Sequence, residues 1–323
     1  MNEETSSVAA ELVEVLVADG RGSIRSILMY GSHMVGTNPD RHSAVDFVVV
    51  VAAYRQFYAA LNAAGELHRP TWLMTGMSHI LPPNVIAFAP EDGRGGIAKC
   101  LVVSMAHLEK ALGPAPSDHF LLGRLVQKVG LVYSVTSEDG RWVEEQLASA
   151  RAGVLAWLAP YLHGPIDAET LGRRMLELSY GGELRPESQQ RAHRVFEAQT
   201  AHFREQFGPV LEHGVRRGML MRNADTPSQP GALEVYELAR PAARALRRRW
   251  RWYFVKSKAR STMRWLKHMA TFANWLPYLV RKVERHRGER IELTRLEKRL
   301  PLIFLWPRAI KVLLTRPRKE LSS

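Results

Sequence analysis

The residues best equipped for chemistry are a Gly31-Ser32 turn, an aspartate at position 46 and a lysine at position 99, each in or beside a short apolar run. A carboxylate at the start of an apolar strand is costly to bury unless it meets a cation or a hydrogen-bond donor. A Gly-Ser turn at a strand end exposes backbone N–H groups and a hydroxyl. Such a nest can grip a triphosphate while Asp46 holds the accompanying Mg²⁺ or Mn²⁺. Lys99 opens the apolar run Cys100 to Val103 and needs an anionic partner for the same reason as Asp46. The same residues also fit a plainer reading, a hairpin with one capping aspartate and an edge-strand lysine that discourages aggregation.

The elements that must position these residues can be read from periodicity and punctuation. Two apolar runs, 27–30 and 45–51, flank a Gly-, Asn-, Pro- and Asp-containing loop and read as adjacent strands. A hairpin is expected from 85–89 and 98–104, joined by a turn that contains Glu91 and Asp92. Helices are expected over 8–18 and 54–63, while 65–83 reads as irregular. Within it His68 and His79 lack a third ligand at a spacing usual for zinc. A short helix over 119–126 carries Arg124, and Lys128 precedes a strand at 129–135. Helical spacing then dominates 141–158, 168–178 and 187–207, and 219–231 reads as a linker.

At 323 residues the chain is long enough for two cores, and its single cysteine, Cys100, excludes disulfides and cysteine-rich zinc sites. The acidic, polar N-terminus lacks the basic region of a secretion signal, so a cytoplasmic location is expected. The net charge of +13 is unevenly placed. Residues 236–323 hold 24 Lys and Arg against 6 Asp and Glu, a net of +18, which leaves −5 on residues 1–235. Five of the eight tryptophans lie in this tail. Trp250, Trp252, Trp265, Phe272 and Trp275, with Arg264, Lys267, Arg281 and Lys282 around them, read as a basic amphipathic helix. Its longest uncharged run is too short to span a bilayer. The expectation is a peripheral helix on an anionic membrane surface, at the inner face of the cell membrane. The large apolar face disfavours nucleic acid, and packing of the helix in a homodimer or against a domain is the competing reading.

Gly-Ser, a gap and an acid at a strand start resemble the signature of the nucleotidyltransferase superfamily, with Ala44 where most members carry a first acid. More of the chain is similar to one branch of it. Tyr30-Gly31-Ser32, the runs 45–48 and 98–104, 122–125 with Lys128, 178–185 and 203–207 occur in the order found in the mitochondrial-type phosphatidate cytidylyltransferases, the CDP-diacylglycerol synthases of the translocator assembly and maintenance family. His33 stands where that family usually has glycine. The resemblance implies CTP and phosphatidic acid as substrates with Mg²⁺ as cofactor. It implies Asp46 and Lys99 as catalytic residues and Asp46 as the metal ligand. Tyr30, Gly31, Ser32 and Lys99 would hold the nucleotide, with Arg124 and Lys128 beside them. The expected fold is α+β: a nucleotidyltransferase-like mixed sheet with flanking helices over 1–112, a helical second domain over 113–235, and the basic amphipathic tail over 236–323.

Overall fold

A computed structural model describes residues 3–36, 44–67, 69–90, 96–181, 188–223 and 233–271. Its centre is a five-stranded sheet of β1 (Ile24–Tyr30), β2 (Val45–Val51), β3 (Asn84–Phe88), β4 (Ala98–Ser104) and β5 (Gly130–Ser134), in the order β3-β4-β2-β1-β5. β2 and β4 run parallel and the other neighbours antiparallel, so the sheet is mixed and the class is α+β, as expected. A small second sheet pairs β6 (Leu220–Arg222) with β7 (Tyr236–Leu238).

The central strands are apolar on both sides because both faces of the sheet are covered, and alternation sorts their side chains into two cores. Phe47, Val49, Cys100 and Val102 face α1 (Glu3–Gly20), short α2 (Ser32–Val35), α3 (Tyr54–Ala63) and α4 (Thr71–Ile80), where Leu12, Leu16, Phe57 and Met74 meet them. Val48, Val50, Leu101 and Val103 face the longer helical layer. That layer comprises α5 (Met105–Leu112), α6 (Leu122–Leu125), α7 (Ser137–Ala152), α8 (Val154–Leu158), α9 (Ala168–Gly181), α10 (Ser188–Glu197), α11 (Thr200–Arg216) and α12 (Arg244–Thr271).

Two expectations change here. The stretch expected to be irregular contains α4, which starts directly after Pro70. Its Ser78 hydroxyl bonds Tyr58 on α3 and donates to the carbonyl of Met74, and Asn84 donates to the same Tyr58 oxygen. Tertiary packing thus stabilises a helix whose glycine and flanking prolines argue against it locally. Among the described residues, both sides of the expected boundaries at 112 and 235 contribute to one buried core. Leu101 of the sheet, Leu171, Phe203 and Trp250 all belong to it.

Candidate functional site

Register alone brings the first candidate residues together. Asp46 on β2 lies opposite Tyr30 on β1 and opposite Lys99 on β4. By alternation all three side chains fall on the sheet face covered by the α5–α12 layer. The Lys99 ammonium stands 3.8 Å from Asp46 Oδ1, with the two side chains 38% and 25% exposed. A carboxylate from one strand and an amine from its parallel neighbour therefore converge at the solvent-accessible head of the sheet.

The turn above them is shaped by the aspartate. Gly31 has φ +78° and ψ −157°, and a Cβ placed there would fall 2.7 Å from Asp46 Oδ2. Only glycine tolerates both the backbone conformation and the approach. The next residues close into α2, with the N–H groups of Met34 and Val35 donating to the Gly31 carbonyl. This leaves Ser32, half-buried, at the start of a turn held against the carboxylate. Tyr30 and His33 are buried on either side.

Lys99 also has a neighbour that the sequence did not reveal. The imidazole of His268, near the end of α12, is lowered to about 4, first by burial and next by the charge of Lys99. The C-terminal part of α12 thus stands beside Lys99, on the sheet face the helices cover.

Arg124 and Lys128 lie within the helical layer. Arg124 donates to the carbonyl of Phe120 and stacks over its ring at 3.9 Å, where Arg264 stacks at 4.3 Å. The Lys128 N–H donates to Gln199 at 2.7 Å, and its charge acts on His202 of α11 together with Arg151. Tyr30, Gly31, Ser32, Asp46 and Lys99 form the cluster; Lys128 belongs to the α7–α11 contact.

The tail differs most from expectation. Trp250, Arg264 and Lys267, expected on a membrane-facing helix, are buried against the body at 7%, 2% and 8% exposure. Trp250 packs on Tyr253, and Tyr253 and Phe254 close over His119. Arg264 and Arg260 bind Asp118 Oδ2 at 2.9 and 2.8 Å. Burial pushes the Asp118 carboxyl up, but the two guanidiniums outweigh it and hold it below its ordinary value. Lys267 donates to the carbonyls of Met77, Leu81 and Pro83. These cations meet fixed acceptors, which lipid headgroups would otherwise supply. Trp252 is exposed, as expected. The side chain of Trp265, and Phe272, Trp275, Arg281 and Lys282, lie outside the described residues. No described helix is long and apolar enough to cross a membrane.

Among the described residues, no group of three or more His, Cys, Asp or Glu gathers to hold a metal ion. Asp46 alone still suits Mg²⁺, which commonly takes one or two carboxylates and completes its shell with substrate phosphates and water.

No protein-family model matches the chain, and no curated protein matches it. Among solved structures, the chain is similar to a nucleotidyltransferase-like protein from Exiguobacterium sibiricum, at 8% identity and a TM-score of 0.26, over 71% of this chain and 99% of that one.

Proposed function

We propose that the chain is a nucleotidyltransferase that works at a membrane surface, transferring CMP from CTP to phosphatidic acid to give CDP-diacylglycerol and pyrophosphate. The observation that carries this reading is the convergence of Asp46 and Lys99 over a turn that only glycine can form. The ordered sequence blocks shared with the phosphatidate cytidylyltransferases support the choice of substrates.

Each residue has a task that follows from its place. Gly31 lets the backbone come close enough for main-chain N–H groups to meet phosphate oxygens. Ser32 offers a hydroxyl to the same oxygens. The Lys99–Asp46 pair is half-exposed and therefore weak. Its ammonium can move from the carboxylate to an α-phosphate or to the leaving pyrophosphate, where charge builds up during transfer. Asp46 would hold Mg²⁺, which when bound offsets charge on the triphosphate. No general base is required of the protein, because a phosphate monoester with a second pKa near ~6 is already largely dianionic at neutral pH.

The membrane part of the reading rests on a different face of α12 from the one expected. Its outward side exposes Trp252, Val255, Met263 and Leu266. These recur at helical spacing, with exposed Arg248, Arg251, Lys256 and Lys258 around them. Each basic residue near an anionic leaflet contributes on the order of 1 kcal/mol. A location at the inner face of the cell membrane follows from the same surface.

Incubation of the chain with labelled CTP, Mg²⁺ and phosphatidate vesicles should place label in lipid, and Asp46→Ala should lower this by about a hundredfold or more. Near-full activity in Asp46→Ala would end the assignment. A panel of the four nucleoside triphosphates, with and without phosphatidic acid, tests the base and the acceptor. Failure of all of them would favour a degenerate homologue that binds lipid or a partner without chemistry, for which Ala44 and His33 already speak.

A further inference from the structure

A second charged site lies at the other end of β4. From Lys99 to Ser104 the strand advances five residues, roughly 17 Å at about 3.3 Å per residue. Just beyond Ser104, the ends of α4 and α5, the connection after α5 and one side of α12 enclose a cavity of about 240 Å³. His79, His107, Lys110, Ser117, Asp118 and Arg260 line it. Its size falls below the roughly 300 Å³ at which pockets for drug-sized ligands begin, so it suits a small group.

The wall is cationic, and its one carboxylate is already engaged. Asp118 Oδ1 accepts the N–H of Phe120, and Oδ2 accepts Arg260 Nε and Arg264 Nη2. Of the lining residues, Lys110 and Arg260 against Asp118 leave a net charge of +1 before either histidine is counted, and Arg264 behind Asp118 adds a further cation. Arg260 meets Asp118 through Nε, which leaves its terminal nitrogens for a further acceptor. Lys110 is exposed and has no carboxylate partner among the described residues.

The hydrogen-bond network also ties His107 to Tyr54 through Nδ1. The Ser104 N–H donates to Tyr54 Oη at 3.0 Å, and that oxygen lies 2.8 Å from His107 Nδ1. Burial raises the Tyr54 phenol, which keeps its proton. With Tyr54 as donor to Nδ1, His107 carries its own hydrogen on Nε2 and is a donor on the edge away from Tyr54. The His79 ring stands 5.9 Å from that of His107. Two imidazoles, an ammonium, a guanidinium and a hydroxyl gathered around a small void form a donor set for tetrahedral oxyanions.

We propose that this cavity is a binding site for a phosphate monoester, separate from the Asp46–Lys99 site. The ligand is either a soluble metabolite or the headgroup of a lipid. Ile80, at the cavity edge, is 71% exposed, so an apolar side chain borders the charged opening. The site does not depend on the nucleotidyltransferase reading.

Calorimetric titration of the full chain with inorganic phosphate and with glycerol 3-phosphate tests the site. Binding should weaken about tenfold in Lys110→Gln and in His79→Gln, and remain unchanged in Asp46→Asn. Both substituted side chains are exposed, so unfolding midpoints should match the wild type and the variants remain interpretable. Flotation with vesicles of phosphatidic acid, against phosphatidylserine vesicles of equal charge, separates the sources. A phosphatidic-acid preference lost in Lys110→Gln supports a headgroup, whereas soluble binding without that preference supports a metabolite. No phosphate binding, undiminished binding in both variants, or a loss confined to Asp46→Asn would overturn the proposal.

Discussion

The molecule holds two carboxylate–cation clusters of similar composition and opposite character. Asp46 and Lys99 stand 3.8 Å apart, a quarter and more than a third exposed. Asp118 grips Arg260 and Arg264 at 2.8 and 2.9 Å, with Asp118 8% and Arg264 2% exposed. A near-surface pair contributes about 0–1 kcal/mol, so its members can exchange partners at little cost. A buried cluster has no such freedom, because losing one member strands the others without water or counter-charge. The first arrangement can give up its ion pair to a ligand; the second fastens α12 to the body and leaves only the terminal nitrogens of Arg260 open to the cavity beside it.

The largest expected effect breaks the second cluster. Asp118→Ala should destabilise the protein by about 3–5 kcal/mol in urea unfolding, since it leaves Arg264 buried and uncompensated. A change below about 1 kcal/mol would show that α12 is held chiefly by Trp250, Tyr253 and Phe254. Replacing Arg264 together with Asp118 by apolar residues of similar volume should recover much of the loss, because a buried pair often contributes little beyond its own desolvation cost.

Acid extends the contrast between buried and exposed charge to the helical layer. The His202 imidazole is lowered to about 4, first by burial, then by Arg151 and Lys128, against a hydrogen bond it donates to the Gln127 backbone, which raises it. Between about pH 6.5 and 4 the unfolded chain binds a proton that the folded state refuses, so stability falls as the pH drops through that window. For one histidine the loss is at most about 3 kcal/mol. His268, also near 4, and His107, lowered by burial and by His79 and Lys110, act with the same sign. The carboxyl of Asp118, held down, withdraws its contribution only at lower pH still. Urea midpoints measured from pH 7 to 4 should decline in the wild type and decline less in His202→Gln. Equal slopes would remove His202 from this account.

What the sequence disclosed follows from how far its signals reach. The strands around Asp46 and Lys99 were readable because both faces of the central strands are buried, which writes β-branched runs into the chain. The hairpin of β3 and β4 was readable as well, whereas the parallel pairing of β2 with β4 that sets Asp46 beside Lys99 was not. α12 was readable as a helix but not in its placement. Its buried side carries Ser257, Arg260, Arg264 and Lys267, and its outward side carries Trp252, Val255, Met263 and Leu266. Sequence rules assign charge outward, whereas here the acceptors are Asp118 and the carbonyls of Met77, Leu81 and Pro83, all over a hundred residues away. The cavity at His79 and His107 was hidden for a similar reason. α4 carries a helix-weakening glycine between prolines, and only its packing on Tyr58 reveals that His79 lies near His107.

Smaller effects sharpen the first cluster. Gly31→Ala would strain a residue at φ +78° and ψ −157° by about 1–3 kcal/mol and press its methyl against Asp46 Oδ2. Folding should survive, and CMP transfer should fall toward the level of Asp46→Ala. If transfer persisted, the aspartate's position would not matter to the reaction.

The smallest change in stability should come from the pair itself. Asp46→Asn and Lys99→Gln should each leave the unfolding free energy within about 1 kcal/mol of wild type, because water reaches both side chains and screens what either loses. That near-silence separates the two clusters as sharply as the large loss in Asp118→Ala. A residue kept for stability shows itself when the protein is unfolded; one kept for a ligand shows itself only when the ligand is present. Nucleotide protection is the matching measurement: CTP with Mg²⁺ should raise the thermal midpoint of the wild type and do so less in either variant. A loss of several kcal/mol in the absence of ligand would instead make Asp46 and Lys99 a second structural clamp, and the site would lose its claim to chemistry.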